Sequence, residues 1–299
     1  MILSGYMLFV GGFSMNGCPL CKSKRIKLKY FLKLDKSLCN LIDFKILECT
    51  NCKLLFSNVL DYPQTIDSIY EEEYFEKYDS SFRNNPKIRT FQKALEIIEK
   101  MHYPKGRLLD FGCAEGNFLI LAKKNGWQVY GVELSKFASK IAQKRGLTVF
   151  NKSIHDVKFK DNFFDVITLW DVIEHLSDLE GIFKEIRRIL KKDGLLVLRT
   201  PNKNSIFHLL ANFSYALSFK TITFPIKSIY HLDHLYYFSR QTLNNTLNKN
   251  GFKIRKLMMN DQTTMHFRNK FMKGIIWLIR VFGMLLGRQH AFLVVAVKK

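Results

Sequence analysis

From Lys87 onward the apolar positions switch repeatedly between two spacings. The stretch "IRTFQKALEIIEKMHY" repeats them at helical intervals, whereas "RLLDFG", "WQVYGVEL", "LTVFNKS", "FDVITLWD" and "GLLVLRT" are short apolar runs. Such runs are what strands buried on both faces of a parallel sheet require. Helix-sized pieces lie between them, "NFLILAKKNG", "SKFASKIAQKRG" and "DLEGIFKEIRRILKKDG", and the two clearest end at Gly after basic residues, as helix C-termini often do. The alternation predicts an α/β fold over 87–299, a doubly wound, mostly parallel seven-stranded sheet. The last two runs, "FKIRKLMMN" and "HAFLVVAVKK", lack the usual helical crossover, so an antiparallel edge strand is expected. Two insertions interrupt the alternation: an aromatic stretch over 204–238, expected to act as a lid, and an amphipathic one over 268–288.

Upstream the pattern changes. Residues 61–86 alternate aromatics with acids, and Tyr70, Tyr74 and Tyr78 recur every four residues, which places them along one side of a linker helix. Residues 16–60 hold strand-like segments flanked by two cysteine pairs, "CPLC" and "CTNC", 27 residues apart. No export signal is expected, because the opening "MILSGYMLFVGGFSM" has no basic segment before its apolar one; Met15 is a candidate natural start. In a reducing, cytoplasmic setting the pairs read as metal ligands rather than disulfides. Cys18, Cys21, Cys49 and Cys52 fit one tetrahedral Zn²⁺, and four thiolates leave no open position, so the site is expected to be structural.

Composition sets the scale. A chain of 299 residues, 47% hydrophobic, can bury one substantial core with a small appendage. No apolar run reaches the ~18 residues of a membrane span. The formal charge of +21 is concentrated at the ends: residues 201–299 hold 15 Lys/Arg and 2 Asp/Glu, while residues 61–200 hold 23 and 21. A basic surface favours nucleic acid, acidic lipid headgroups or phosphorylated substrates as partners, and a solvated Lys-rich surface is the plain alternative.

The turn after "RLLDFG" lies where a doubly wound fold binds its ligand. Gly112 and Gly116 let backbone approach that ligand, with the small Ala114 between them. Glu133 closes the next strand, placed to accept hydrogen bonds from ribose hydroxyls. The dinucleotide spacing G-x-G-x-x-G is missing, and Asp110 would face a pyrophosphate with like charge. A cationic cofactor suits the carboxylate better.

With "LLDFGCAEGNF", "FDVITLWDVIEHL" and "RRILKKDGLLVLRTPN" in this order, the chain resembles the class I S-adenosylmethionine-dependent methyltransferases from about Ile88 to its end. It departs from their pattern at Ala114, commonly Gly, and at "KKDG", usually "KPGG". The resemblance implies that Asp110, Gly112, Cys113, Ala114 and Gly116 cradle the methionine part of S-adenosylmethionine. It further implies that Glu133 binds ribose, that Leu134 and Ile154 pack near adenine, and that Trp170 and Asp171 line the cleft. Glu174 and His175 are expected to brace the loop by hydrogen bonds.

The cysteine unit, the "IYEEEYF" segment and this core together resemble methyltransferases of bacterial sugar and polysaccharide pathways. Some of those are C-methyltransferases with a further C-terminal domain, for which this chain is too short. The stretch "HLDHLYYFS" matches a segment of that group and implies Asp233 and His234 as an acid–imidazole pair, with Tyr74 as a further catalytic candidate. His titrates near neutral pH and can take the proton an acceptor must lose. The expectation is methyl transfer to a sugar or other small-molecule hydroxyl in polysaccharide or secondary metabolite synthesis, by a monomer or homodimer.

Two rival functions stand beside it. An RNA methyltransferase would use the aromatic insertion for base stacking, but no Asn-Pro-Pro-Tyr-type motif follows the fourth strand. A non-catalytic binding protein would not need Asp110, the glycine turn and Glu133 intact. Within residues 271–288, Phe271, Ile275, Leu278, Phe282 and Leu285 share one helical face, with Lys273 and Arg280 on another. Such a helix could lie on the inner surface of a membrane beside a lipid-linked acceptor, or pack against protein.

Overall fold

The computed structural model describes residues 17–33, 43–58, 87–219, 221–231, 233–260 and 270–299. The expected linker helix over 61–86, with Tyr74, and the residues before Met15 lie outside the described residues, as does Cys39. Two sheets organise the rest. The smaller one begins with β1 (Ile26–Lys33), β2 (Asp43–Cys49) and β3 (Leu55–Ser57), all antiparallel.

The larger sheet has seven strands, in the order β10 (Phe252–Asn260), β11 (Ala291–Lys298), β8 (Leu190–Pro201), β7 (Phe164–Trp170), β4 (Arg107–Phe111), β5 (Gln128–Val132) and β6 (Val149–Phe150). The five strands from β8 to β6 are parallel. The antiparallel edge is a pair: β11 runs antiparallel to β8 on one side and to the outermost β10 on the other. The run "LTVFNKS" contributes only two residues to the sheet, Val149 and Phe150.

The apolar runs form strands because both of their faces are covered. Along β4, Leu108 faces one core cluster with Phe91, Leu95 and Ile98 of α1 (Ile88–Met101), while Leu109 faces the other with Ile167 and Phe183. Helices α2 (Asn117–Lys124) and α3 (Lys136–Lys144) cross between β4, β5 and β6, and α4 (Ile154–Val157) leads on to β7. Ser135 caps α3 by accepting from the Ala138 N–H, and Asp178 caps α5 (Leu179–Ile189) through the Gly181 N–H. Those contacts satisfy donors that a helix start leaves open. Strand order reverses at β4, whose neighbours are β5 and β7, so the crevice falls at the carboxyl ends of β4 and β7.

The two sheets are joined. After β8 come α6 (Ile206–Leu217) and α7 (Phe224–Ile229), and the next segment adds a fourth strand, β9 (Tyr236–Tyr237), to the small sheet beside β3. The last helices are α8 (Arg240–Lys249) and α9 (Lys270–Leu285). Lys249 donates to the carbonyl of Leu20, Lys203 to that of Lys53 and the Tyr30 hydroxyl to Asn212 Oδ1. The small unit is therefore hydrogen-bonded across its length to the chain that follows β8.

Candidate active site and four-cysteine cluster

Strand β4 carries Asp110 as its penultimate residue and turns through a loop whose backbone is left-handed at Gly112, Ala114 and Gly116, with φ of 76°, 46° and 79°. Ala114 bears a Cβ in that region, at a cost of about 1 kcal/mol that Gly would not incur. A contact offsets it: the Ala114 N–H donates to Glu133 Oε2 at 2.9 Å. The Ser135 N–H donates to Glu133 Oε1 at 2.7 Å. The buried Glu133 thus ties the glycine turn to the loop after β5.

Asp110 is 1% exposed and accepts from the Thr168 hydroxyl at 2.6 Å, across the parallel β4–β7 pair. Burial pushes its carboxyl up to about 8; the charge of Glu133 adds to the rise, against the Thr168 hydrogen bond and the more distant Lys87. A cationic group beside Asp110 would restore its charge. The amino-acid moiety of S-adenosylmethionine is such a group, so the donor set fits this cofactor.

The remaining cofactor candidates differ in exposure. Cys113 is buried against Gly131, where a Cβ would stand 2.6 Å from its Sγ. Leu134 is half-buried, and its carbonyl and that of Glu133 both accept from Asn151 Nδ2, at 2.7 and 2.9 Å. Ile154 is buried in the main core. The Trp170 ring packs 5.0 Å from Phe91 and 4.8 Å from Phe118, and its Nε1 is buried without a hydrogen-bond partner.

Asp171 follows β7 with φ 57° and receives Lys87 at 2.6 Å on one oxygen and the buried Arg199 on the other. Burial alone would raise its pKa, but these two cations hold it well below the usual carboxylate range. A polar chain continues outward, from Arg199 Nε to Asn260 Oδ1 at 3.4 Å and from Asn260 Nδ2 to Thr90 Oγ1 at 2.9 Å. Lys87, Arg199 and Asn151 were not among the residues picked out in the sequence. An Arg inside the apolar run "LLVLRT" was the available signal for one of them; Lys87 and Asn151 carried none.

Beyond Asp171 lies a cluster of imidazoles. His175 Nδ1 meets the Asp233 carbonyl at 2.8 Å, and the Glu174 carbonyl accepts from the Leu235 N–H at 2.7 Å. Glu174 Oε2 accepts from the Thr200 hydroxyl at 2.9 Å. Glu174 and His175 therefore brace the loop that carries Asp233 and His234. The His234 ring packs edge-on to His175 at 4.7 Å and lies 5.2 Å from His231. Burial lowers the His234 pKa to about 3, reinforced by the neighbouring histidines and opposed by Asp233. Its ring is neutral at pH 7. Asp233 itself is held low: burial acts to raise it, and His234, His175 and His231 outweigh that.

The four cysteines converge. Cys18 Sγ lies 3.5 Å from Cys52 Sγ, Cys21 Sγ lies 3.6 Å from Cys49 Sγ, and all four sulfurs are within 4.8 Å of one another. The two turns repeat one geometry. The Lys22 N–H closes onto the Cys18 carbonyl at 2.8 Å and the Lys53 N–H onto that of Cys49 at 2.9 Å, with φ of 59° and 64°. A tetrahedron with metal–sulfur bonds of about 2.3 Å has edges of about 3.8 Å, close to these separations. Burial raises the Cys18 and Cys52 thiols, whereas the Ser23 N–H and the Asn51 amide hold Cys21 down to about 6 against the same push.

A seven-stranded, mostly parallel sheet with an antiparallel edge, whose order reverses at β4 beside the buried carboxylates of Asp110 and Glu133, is the fold of the α/β methyltransferases, and comparison with known proteins agrees. The family Methyltransf_23, a methyltransferase domain, matches residues 73–257. The chain belongs to that family of methyltransferase domains. An uncharacterized protein of Methanocaldococcus jannaschii, MJ1123, is 34% identical over 134 residues, covering 45% of this chain and 62% of its own. The ubiquinone biosynthesis O-methyltransferase of Pelagibacter ubique is 32% identical over 122 residues, covering 39% of this chain and 48% of its own. The chain thus spans about half to just under two thirds of the length of these relatives, 48% of one and 62% of the other. A solved S-adenosylmethionine-dependent methyltransferase from Archaeoglobus fulgidus superposes with a TM-score of 0.51 at 18% identity, covering 75% of this chain and 100% of that one. That likeness is one of fold.

Proposed function

We propose that this methyltransferase methylates a hydroxyl oxygen of a small molecule, a sugar in polysaccharide or secondary metabolite synthesis, and that its four cysteines hold one structural Zn²⁺. The supporting observation is His234, kept neutral by burial against the opposing pull of Asp233, whose carboxylate lies 3.7 Å from His175 Nδ1. The ion cluster of Lys87, Asp171 and Arg199 acts on both Asp110 and His234, Lys87 on the first and Asp171 on the second. A hydroxyl must lose a proton as its oxygen gains the methyl group, and a neutral imidazole is the group to accept it. Because the ring is a weak base, proton transfer has to accompany methyl transfer rather than precede it.

S-adenosylmethionine supplies the electrophilic methyl group when bound. Asp110 would hold its ammonium and Glu133 its ribose hydroxyls, while the braced loop of Glu174 and His175 positions His234 against the acceptor. Alignment accounts for most of the acceleration in such a reaction. The Pelagibacter relative is named for O-methylation in ubiquinone biosynthesis, which shares an oxygen acceptor with the sugar reading. The closed set of four thiolates suits a structural ion.

The test uses labelled S-adenosylmethionine with nucleotide-activated sugars, a catechol and transfer RNA as acceptors. Transfer to a sugar hydroxyl is expected, and His234→Gln should lower kcat by about 100-fold with S-adenosylhomocysteine affinity preserved. Label appearing in RNA alone, or undiminished kcat in the variant, would overturn the proposal.

A further inference from the structure

Exposed hydrophobic side chains are not scattered over this protein. Of the eighteen large ones exposed among the described residues, fourteen lie in two stretches, Leu209–Phe224 and Phe271–Leu286. The stretches are neighbours. Gly283 of α9 abuts Ile206 at the start of α6, where a Cβ would stand 2.7 Å from Ile206 Cγ2, and the Ile206 N–H donates to the Arg288 carbonyl at 2.8 Å. Helix α6 docks its inner face through Ile206, Phe207, His208 and Ala211 and leaves Phe213 63% and Leu217 68% exposed. In α9, Gly283 is the one buried residue among those whose side chains are described, and Trp277 is 61% exposed.

An apolar surface this extended marks an interaction site, and its charge identifies the partner. Between residues 204 and 231 and between 270 and 290 the sequence has no Asp or Glu, and the Lys/Arg with described side chains there are Lys227, Lys273, Arg280 and Arg288. A second copy of the chain would set two such basic surfaces against each other. An acidic lipid surface instead accepts the apolar side chains among its acyl chains and the basic ones at its headgroups. No helix of the described residues is long and apolar enough to cross a membrane, so the contact would be peripheral.

The patch also has a defined relation to the crevice. Helix α6 leaves the carboxyl end of β8, and β11, which follows α9, starts with Ala291 paired to Pro201 at that same end. Both helices therefore meet the sheet at the edge where the carboxyl ends of β4 and β7 open.

We infer that α6, the α6–α7 connection and α9 form one docking surface for a bilayer of anionic lipid, which brings the crevice to the membrane surface. The docking is independent of which acceptor is methylated. With the acceptor proposed above, it implies a hydroxyl compound carried on a lipid.

Flotation of the full chain with vesicles tests this, using phosphatidylcholine alone or mixed with phosphatidylglycerol. Binding is expected to the mixed vesicles only, to fall at least tenfold in about 0.5 M salt as screening predicts, and to fall at least tenfold in both Phe213→Asp and Trp277→Asp. Calorimetry with S-adenosylhomocysteine, unchanged within twofold, verifies that both variants are folded. Absence of flotation, equal binding to neutral vesicles, or variants that float like the wild type would each overturn the proposal. So would light scattering that shows a dimer which both variants dissociate, since a second copy would then cover the surface.

Discussion

The Ser57 hydroxyl donates a 3.0 Å hydrogen bond to the carbonyl oxygen of His234. Ser57 ends β3 of the cysteine-bearing sheet, and its N–H donates to the Leu235 carbonyl at 3.0 Å. The backbone of the candidate base is thus positioned by the small unit, whose turns are in turn set by four cysteines. The four-cysteine cluster and the candidate base are therefore linked through β3, which pairs with β2 on one side and β9 on the other.

Cys49→Ser is expected to lose the bound metal and to reduce methyl transfer at least tenfold, while S-adenosylhomocysteine affinity changes less than twofold. Cys49 closes β2 next to β3, whereas Asp110 and Glu133 belong to the other sheet. Elemental analysis, a transfer assay and calorimetry on the same preparation separate the three quantities. A variant that keeps full activity without metal would uncouple the unit from the acceptor site.

Glu133→Ala should weaken S-adenosylhomocysteine binding by about 1.5–3 kcal/mol, the range for a hydrogen bond to a charged group. The Ala114 and Ser135 N–H groups lose their acceptor as well, so the turn loosens along with the ribose contact. Titration calorimetry reads the change, and unaltered affinity would place the ribose elsewhere.

Asp110 is expected to make cofactor binding depend on pH. Its carboxyl stands near 8 in the fold against about 3.9 in the unfolded chain, so its contribution to stability is complete below 3.9 and is lost as pH rises through 8. A bound cation favours the ionised form and expels the proton. Affinity for S-adenosylhomocysteine should therefore rise between pH 6 and 8, by at most about tenfold per unit, and level off above. Calorimetry at pH 7 in buffers of different ionisation enthalpy should show proton release that Asp110→Asn abolishes; heats independent of buffer would contradict it.

Gly131→Ala should destabilise the fold by about 1–3 kcal/mol through overpacking. The added Cβ would stand 2.6 Å from Cys113 Sγ and 2.9 Å from both Leu119 Cδ1 and Val149 Cγ2. Urea unfolding measures the loss, and adding Cys113→Ala should recover part of it. Additive losses in the double variant would mean that the strain lies elsewhere.

The large sheet was legible because its strands are buried on both faces, which leaves runs such as "FDVITLW" with no polar alternation to misread. The cysteine pairs were legible for a similar reason, since each turn is local. Strand β9 was not. Two tyrosines pairing with Leu55 and Phe56 leave no periodic trace, and their segment was read for acceptor chemistry alone. The triad around Asp171 depends on Lys87, contributed from the start of α1, and no spacing rule joins residues 87, 171 and 199. The aromatic insertion was expected to cover the crevice as a lid. Which of its side chains face outward is decided by the way α6 meets α9, not by α6 alone.

The pairing of β3 with β9 also orders events during synthesis. Residues 55–57 emerge from the ribosome about 180 residues before Tyr236 and Tyr237 can reach them, an interval of roughly 10–40 s at usual translation rates. For that time β3 presents an unpaired edge, the feature that invites association with other chains. Early capture of the metal by the cysteine turns, or a chaperone over that edge, would decide how many nascent chains survive until their own tyrosines arrive.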